Sequence, residues 1–237
     1  MEVHHHPEVG RKSFKEYFLE GLMIFLAVTM GFFAESLREN INNREKEKSY
    51  VVSLINNLEQ DTVNMNSTIR ENMNKMRGLD TLLSLAANDL TKPSDREVLY
   101  EGFGQYISYY SIFASNDATM MQLKNSGGLQ YIRRDHIADS IAAYDQRMRD
   151  VAGAETPYSK AINDAVGATE EILIMAGGAR TSEQFPLLSK DPAKINIFFN
   201  KVYLEKGWTE NYIYNLKRLM PHTTRLIALL KKEYDIE

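Results

Sequence analysis

Residues able to hold a metal ion or move a proton are few and scattered in this chain. His4, His5 and His6 cluster in a tail that also carries Glu2 and Glu8. Neutral imidazoles bind zinc, nickel or copper, but adjacent histidines in a tail do not form a preassembled site. The tail therefore reads as solvated or headgroup-contacting, with metal binding as the rival. His136, in Arg133-Arg134-Asp135-His136 with Asp139 following, lacks a second histidine at ligand spacing and reads as a helix start. His222 follows Pro221 and has no partner visible in sequence. Glu20 and Glu35 bracket an apolar run, where ionisable groups are functional candidates by default. Both lie near its ends and can snorkel to water. Gly127 and Gly128 have neither the spacing nor the following Lys-Ser/Thr of a phosphate loop, and read as a tight turn. No catalytic constellation and no cofactor are expected.

Composition narrows the elements that must carry whatever function exists. The 237 residues hold 28 Lys and Arg against 32 Asp and Glu, a formal charge of −4, so there is no basic footprint for nucleic acid. The absence of Cys excludes disulfides, thiolate zinc sites, a Cys nucleophile and a lipoprotein anchor. Six Pro and thirteen Gly among many Leu, Ile, Met, Glu and Lys favour long helices.

The run from Gly21 to Ala34 is uncharged and apolar. Alone it is short for a bilayer, which needs about 20 residues. Begun near Phe14, the helix reaches roughly 30 Å by Ala34, with Tyr17 at a headgroup layer and Lys15, Glu16 and Glu20 at the same end. A cleavable signal would be cut after Ala34, which puts Phe32 where a small residue is wanted. A surface-lying helix needs a polar face, yet Leu22, Met23, Ile24, Phe25, Leu26, Val28, Met30, Phe32 and Phe33 cover every azimuth. An uncleaved span is the preferred reading.

Tyr17 to Glu39, followed by Arg44-Glu45-Lys46-Glu47-Lys48 and later by Leu123-Lys124-Asn125-Ser126-Gly127-Gly128-Leu129, resembles an uncharacterised bacterial family of single-span helical proteins known only as a domain of unknown function. The resemblance covers most of the chain. It implies a membrane-bound helical protein and supplies no activity, cofactor or catalytic residue.

A heptad count from Ala27 places Ala27, Met30, Ala34, Leu37, Ile41, Arg44, Lys48, Val51, Ile55, Leu58, Thr62, Met65, Ile69, Asn72, Met76, Leu79 and Leu83 on one stripe. The unbroken phase predicts a transmembrane helix over 14–35 continuing into a stalk helix over 36–90, after a tail of residues 1–13. Gly78 is a candidate bend or early end. The stalk seam of Ile41, Val51, Ile55, Leu58, Met65 and Ile69 faces either helices of the same chain or a second copy. Ala27, Gly31 and Ala34 would let helices approach closely inside lipid.

Residues 91–237 read as an antiparallel helical bundle packing on the stalk. Lys92-Pro93-Ser94-Asp95 breaks the chain, with Ser94 or Asp95 able to cap the next helix. Leu99, Phe103, Tyr106, Tyr110 and Phe113 then recur at helical spacing, and Ser115-Asn116-Asp117 opens a short helix through Lys124. Further helices are expected at Asp135 to Val151, Pro157 to Met175 with Gly177 and Gly178 as its stop, Pro192 to Lys206, and Thr209 to Tyr234. Ala179 to Asp191 reads as a surface loop. In the last helix Tyr212, Leu216, Leu219, Thr223, Ile227 and Leu230 form a face, and Pro221 should bend it.

These features predict an all-α, non-enzymatic protein of the bacterial inner membrane, a scaffold or accessory subunit. Its partners would be membrane lipid and either copies of itself or a membrane protein, with no nucleic acid. The rivals are a sensor or channel-like component and an enzyme whose site no linear motif announces. Positive charges nearly balance, with Arg11, Lys12 and Lys15 before the span and Arg38, Arg44, Lys46 and Lys48 after it. A cytoplasmic N-terminus with a periplasmic helical domain is the favoured topology.

Overall fold

A computed structural model describes residues 13–88, 90–125, 127–175 and 185–236. The His4–His6 tail, the expected stop at Gly177 and Gly178, and the first part of the Ala179–Asp191 loop lie outside them. The described chain is helical: α1 (Phe14–Leu83), α2 (Pro93–Gly102), α3 (Ala118–Asn125), α4 (Asp135–Glu170) and α5 (Pro192–Tyr234). Short 3-10 turns occupy Ser84–Ala87 and Gly128–Tyr131, and a π-helical turn occupies Phe103–Ile107. Among the described residues no strand forms, and Leu173 and Leu187 make an isolated antiparallel bridge. The chain divides into two compact units, Met1–Ser49 and Tyr50–Glu237.

In the first unit, α1 starts with the Ser13 backbone N–H donating to the Glu16 carboxylate at 2.7 Å, one arm of a capping box. Every residue from Ser13 to Asn42 is exposed. Within the apolar stretch the Thr29 hydroxyl donates to the Phe25 carbonyl at 2.8 Å, so its one polar side chain is satisfied by its own helix. Arg38 pairs with Glu35 at 2.5 Å just past the apolar run.

The second unit holds the core. One cluster joins Val51, Leu54, Leu58 and Met65 of α1 to Ile137, Ile141 and Tyr158 of α4 and Tyr212, Leu216 and Leu219 of α5. The other joins Leu79 and Leu82 to Leu99, Ile107, Ile172, Phe198 and Val202. Along α4 and α5, pairs run Arg134 with Glu233, Tyr158 with Tyr212, Asp164 with Lys201 and Glu171 with Lys194. Numbers rise on α4 as they fall on α5.

Several expected boundaries move. The break before Pro157 does not occur: α4 runs through it, and the residue whose carbonyl the proline ring crowds, four positions back, is Gly153, with open space at its Cβ position. The break between Lys206 and Thr209 is also absent, because Val202, Glu205, Thr209 and Tyr212 are all buried on one side of α5, and packing overrides the weak local preference of Gly207. At the start of α2 the N-cap is Lys92, with Pro93 in the first turn, rather than Ser94 or Asp95. α5 is capped by Asp191, whose carboxylate accepts from Ala193 N–H at 2.9 Å. The stalk helix ends at Leu83 rather than residue 90, and passes straight through Gly78. A Cβ at Gly78 would sit 2.2 Å from the Tyr106 ring, so this glycine is a seat for an aromatic ring and not an end.

The aromatic stripe departs most. Its helix stops at Ile107, and residues 109–117 run without regular structure, leaving Tyr110 exposed and Phe113 buried. At the expected turn, Gly127 is left-handed, φ 68°, where L side chains are disfavoured. A Cβ at Gly128 would lie 3.0 Å from the Leu123 Cα.

Candidate functional site

The buried stripe of α1 in the second unit runs mainly in two heptad columns, with Ile55 and Gly78 buried beside them. One is Val51, Leu58, Met65, Asn72 and Leu79, and the other is Leu54, Asp61, Thr68, Lys75 and Leu82, all buried. The first column coincides with half of the expected stripe. The second is displaced by one residue from the expected Ile55, Thr62, Ile69, Met76 and Leu83. Of the seam residues, Val51, Ile55, Leu58 and Met65 are buried, Ile69 is half-buried, and Ile41 is exposed. Ala27, Gly31 and Ala34 are exposed, and nothing lies within 4 Å of a Cβ built on Gly31.

Polar residues in a buried stripe are costly unless paired. They are paired here because residues 109–117 have unladdered backbone groups that need partners. Lys75 Nζ donates to the Tyr109 carbonyl at 2.6 Å, and Asn72 Nδ2 to the Ser111 carbonyl at 2.9 Å. Asp61 accepts from the Asn116 backbone N–H at 2.7 Å. From α5, the Tyr212 hydroxyl accepts from the Phe113 N–H at 2.9 Å. Glu71 accepts from the Ser111 and Tyr109 hydroxyls at 2.8 and 3.0 Å, and these bonds, with that from Ser67, hold its carboxyl below the usual range. The side chains of α1 thus do for this segment what a neighbouring strand would do.

The centre of the seam is an ion contact. Lys75 Nζ lies 2.8 Å from Glu205 Oε1 on α5, with both side chains fully shielded from solvent. The ammonium also sits 5.3 Å from the centroid of the Tyr158 ring, so carboxylate, carbonyl and ring face surround its three N–H groups. Tyr158 stacks on Tyr212 at 4.9 Å with 4° between planes, and its hydroxyl donates to Asn72 Oδ1 at 2.7 Å. Among the described residues, neither Glu205 oxygen accepts a hydrogen bond of good angle, which leaves the 2.8 Å ion contact as its compensation. Burial accordingly pushes Glu205 up to about 7, outweighing the attraction of Lys75, and burial pushes Lys75 down. Burial also raises the Tyr158 and Tyr212 hydroxyls.

A lysine of lowered pKa beside a carboxylate is a pairing that serves imine and proton-transfer chemistry. Here zero side-chain exposure on both partners gives a substrate no approach. The arrangement fits a positioning role: it fastens α1, α5 and the 109–117 segment at one point. His136 lies outside it, 3.6 Å from the Glu233 carboxylate that Arg134 also engages. His222 is also apart, its pKa lowered by burial and by Arg147, Arg225 and Arg218. Among the described residues no group of three or more His, Asp or Glu side chains is placed to hold a metal ion.

In the first unit the candidate surface is apolar. One helix among the described residues is long and apolar enough to cross a membrane, and none of its apolar window is buried. Met23, Ile24, Phe25, Met30, Phe32 and Phe33 are each more than 60 % exposed. No family model, no curated protein and no solved structure matches the chain.

Proposed function

We propose that this chain is a single-pass protein of the bacterial inner membrane whose antiparallel helical bundle acts as a scaffold or accessory subunit, assembling with itself or with a larger membrane protein. The observation that carries the reading is the α1 stretch from Gly21 to Ala34, helical, uncharged, apolar on every azimuth and covered by none of the described residues. Leaving so many large apolar side chains in water costs about 25 cal/mol for each Å² relative to an apolar environment. A bilayer removes that cost. Thr29, bonded to its own helix, and the ion pair of Glu35 with Arg38 just beyond the apolar run suit such an environment. In this reading α1 continues from the span into the bundle, and Ala27, Gly31 and Ala34 form the face that meets another helix in lipid.

The test uses the absence of Cys, which makes any single introduced thiol unique. Cells are broken, membranes are washed at alkaline pH, and the chain stays in the pellet until detergent is added. Recovery in the detergent-free supernatant defeats the reading. With Ser13→Cys and Glu210→Cys, an impermeant maleimide labels Glu210→Cys in intact spheroplasts and Ser13→Cys after permeabilisation. The reverse pattern inverts the topology. Gly31→Leu should lower the assembled mass in mild detergent, and an unchanged mass removes the small-residue face from the argument.

A further inference from the structure

A cleft of ≈ 220 Å³ opens in the second unit between α1, α3 and α4, away from the Lys75–Glu205 contact. Its apolar wall includes Leu58, Met120 and Met148. Methionine walls adapt to ligands of varied outline, because the side chain is unbranched, mobile and polarisable. In size the cleft exceeds the roughly 150 Å³ that accommodates benzene in an apolar protein cavity.

Its charge is what selects a ligand. Three carboxylates and two cations line it, but the cations are committed: Lys124 Nζ contacts both oxygens of Asp145 at 3.0 and 3.1 Å, and Arg149 pairs with the same carboxylate. Asp61 and Asp117 remain, with no ion pair to a described residue. Asp61 is 2 % exposed, and its Oδ1 accepts two bonds from Asn116, at 2.7 and 3.1 Å. Its Oδ2 takes a long bond from the Tyr144 hydroxyl, 3.3 Å, which leaves acceptor capacity on that oxygen. Burial, with the nearby charge of Asp117 adding to it, disfavours the ionised carboxyl, a penalty that an arriving cation reverses. A buried acidic group beside an apolar wall suits a small molecule with one ammonium on an apolar body.

We propose that this cleft binds a small organic monocation, an amine carried on a single ring or short alkyl body, with the Asp61 carboxylate as counter-ion and the Met120 and Met148 side chains against the apolar part. The site goes beyond the scaffold reading and does not depend on it, since it lies wholly within the second unit.

The experiment titrates the full chain, in lipid nanodiscs with methyl-labelled methionine, with benzylammonium chloride and separately with benzyl alcohol, its neutral counterpart of similar shape. The expected result is saturable movement of the Met120 and Met148 methyl signals, with benzylammonium binding at least tenfold more tightly than benzyl alcohol. Asp61→Asn should abolish that preference. Because Asp61 also holds the Asn116 backbone, a second variant keeps the test decisive if the first unfolds: Ala152→Phe, at an exposed cleft position, should block both ligands. Equal binding of the two ligands overturns the proposal. So does benzylammonium binding that survives Ala152→Phe, or the absence of saturable shifts at either methionine.

Discussion

Lys75 Nζ and Glu205 Oε1 stand 2.8 Å apart where α1 meets α5, and neither side chain has any solvent exposure. An ion pair so placed is not a source of net stability by itself, because removing two charges from water costs several kcal/mol per ion after relaxation. What the pair secures is register. Lys75 can meet Glu205 and the Tyr109 carbonyl together only when α1, α5 and the 109–117 segment are each in place.

Breaking the pair should therefore hurt more than deleting it. Lys75→Met leaves Glu205 buried without its cation and the Tyr109 carbonyl without its donor, and should cost about 3–5 kcal/mol. The double variant Lys75→Met/Glu205→Leu should recover much of that loss. Urea unfolding of both variants in the same detergent checks the order. A double variant as damaged as the single one would locate the cost in the Tyr109 carbonyl instead.

The same carboxyl predicts a pH dependence of definite sign. Glu205 is raised from its ordinary value of 4.5 to about 7 in the folded chain. The folded state thus binds its proton more tightly than the unfolded state. The associated stability is fully present below pH 4.5 and is lost as pH rises through about 7. The loss is on the order of 3 kcal/mol at about 1.4 kcal/mol per unit. Other carboxyls, such as Glu71, shift the opposite way. The measurement is consequently the difference in unfolding midpoint between the native chain and Glu205→Gln from pH 4.5 to 8. The native chain should lose ground relative to the variant across that window.

Tyr212 offers a local test of the segment's dependence on side chains. Its hydroxyl accepts from the Phe113 backbone N–H and is bonded to Glu155. Tyr212→Phe keeps the ring stack on Tyr158 and removes that acceptor. Leaving a buried N–H unpaired costs about 1–3 kcal/mol. Hydrogen exchange at the Phe113 amide should accelerate by more than at amides in the middle of α4. Uniform acceleration would mean that the segment is held by packing rather than by this bond.

Which features could be read in advance follows from where their causes lie. The apolar helix from Phe14 has none of its apolar window buried among the described residues, so composition and azimuth sufficed to find it. Val51, Leu58, Met65 and Leu79 were legible as one column because they are apolar and buried. The second column was not, since a search for apolar spacing selects Ile55, Ile69 and Met76 over Asp61, Thr68 and Lys75. Asp61 and Lys75, like Asn72 in the first column, win burial through partners more than thirty positions away, the Asn116 N–H, the Tyr109 carbonyl with Glu205, and the Ser111 carbonyl. No local pattern announces those partners. Asn72, a polar residue on the expected stripe, was a hint of such a partner. The irregular 109–117 segment was hidden for the same reason: its aromatic residues have helical spacing, while its backbone is drawn off by side chains of α1.

Two glycines in helix interiors should respond to alanine with opposite signs. In both α1 and α5 a glycine interior to the helix sacrifices about 0.5–1 kcal/mol relative to alanine. At Gly207 a Cβ would meet nothing within 4 Å, so Gly207→Ala should stabilise by about that amount. At Gly78 the Cβ would fall 2.2–2.3 Å from three atoms of the Tyr106 ring, an overlap that requires the ring to leave its place. Tyr106 belongs to the π-helical turn that ends the α2 segment and starts the descent to Tyr109. Displacing it should therefore loosen the carbonyl that Lys75 holds, and Gly78→Ala should destabilise by about 1–3 kcal/mol despite its better helix propensity. Thermal unfolding of the two variants side by side decides the matter. If Gly78→Ala is as stable as the native chain, the Tyr106 ring does not rest on α1, and the coupling between the π turn and the buried seam is lost with it.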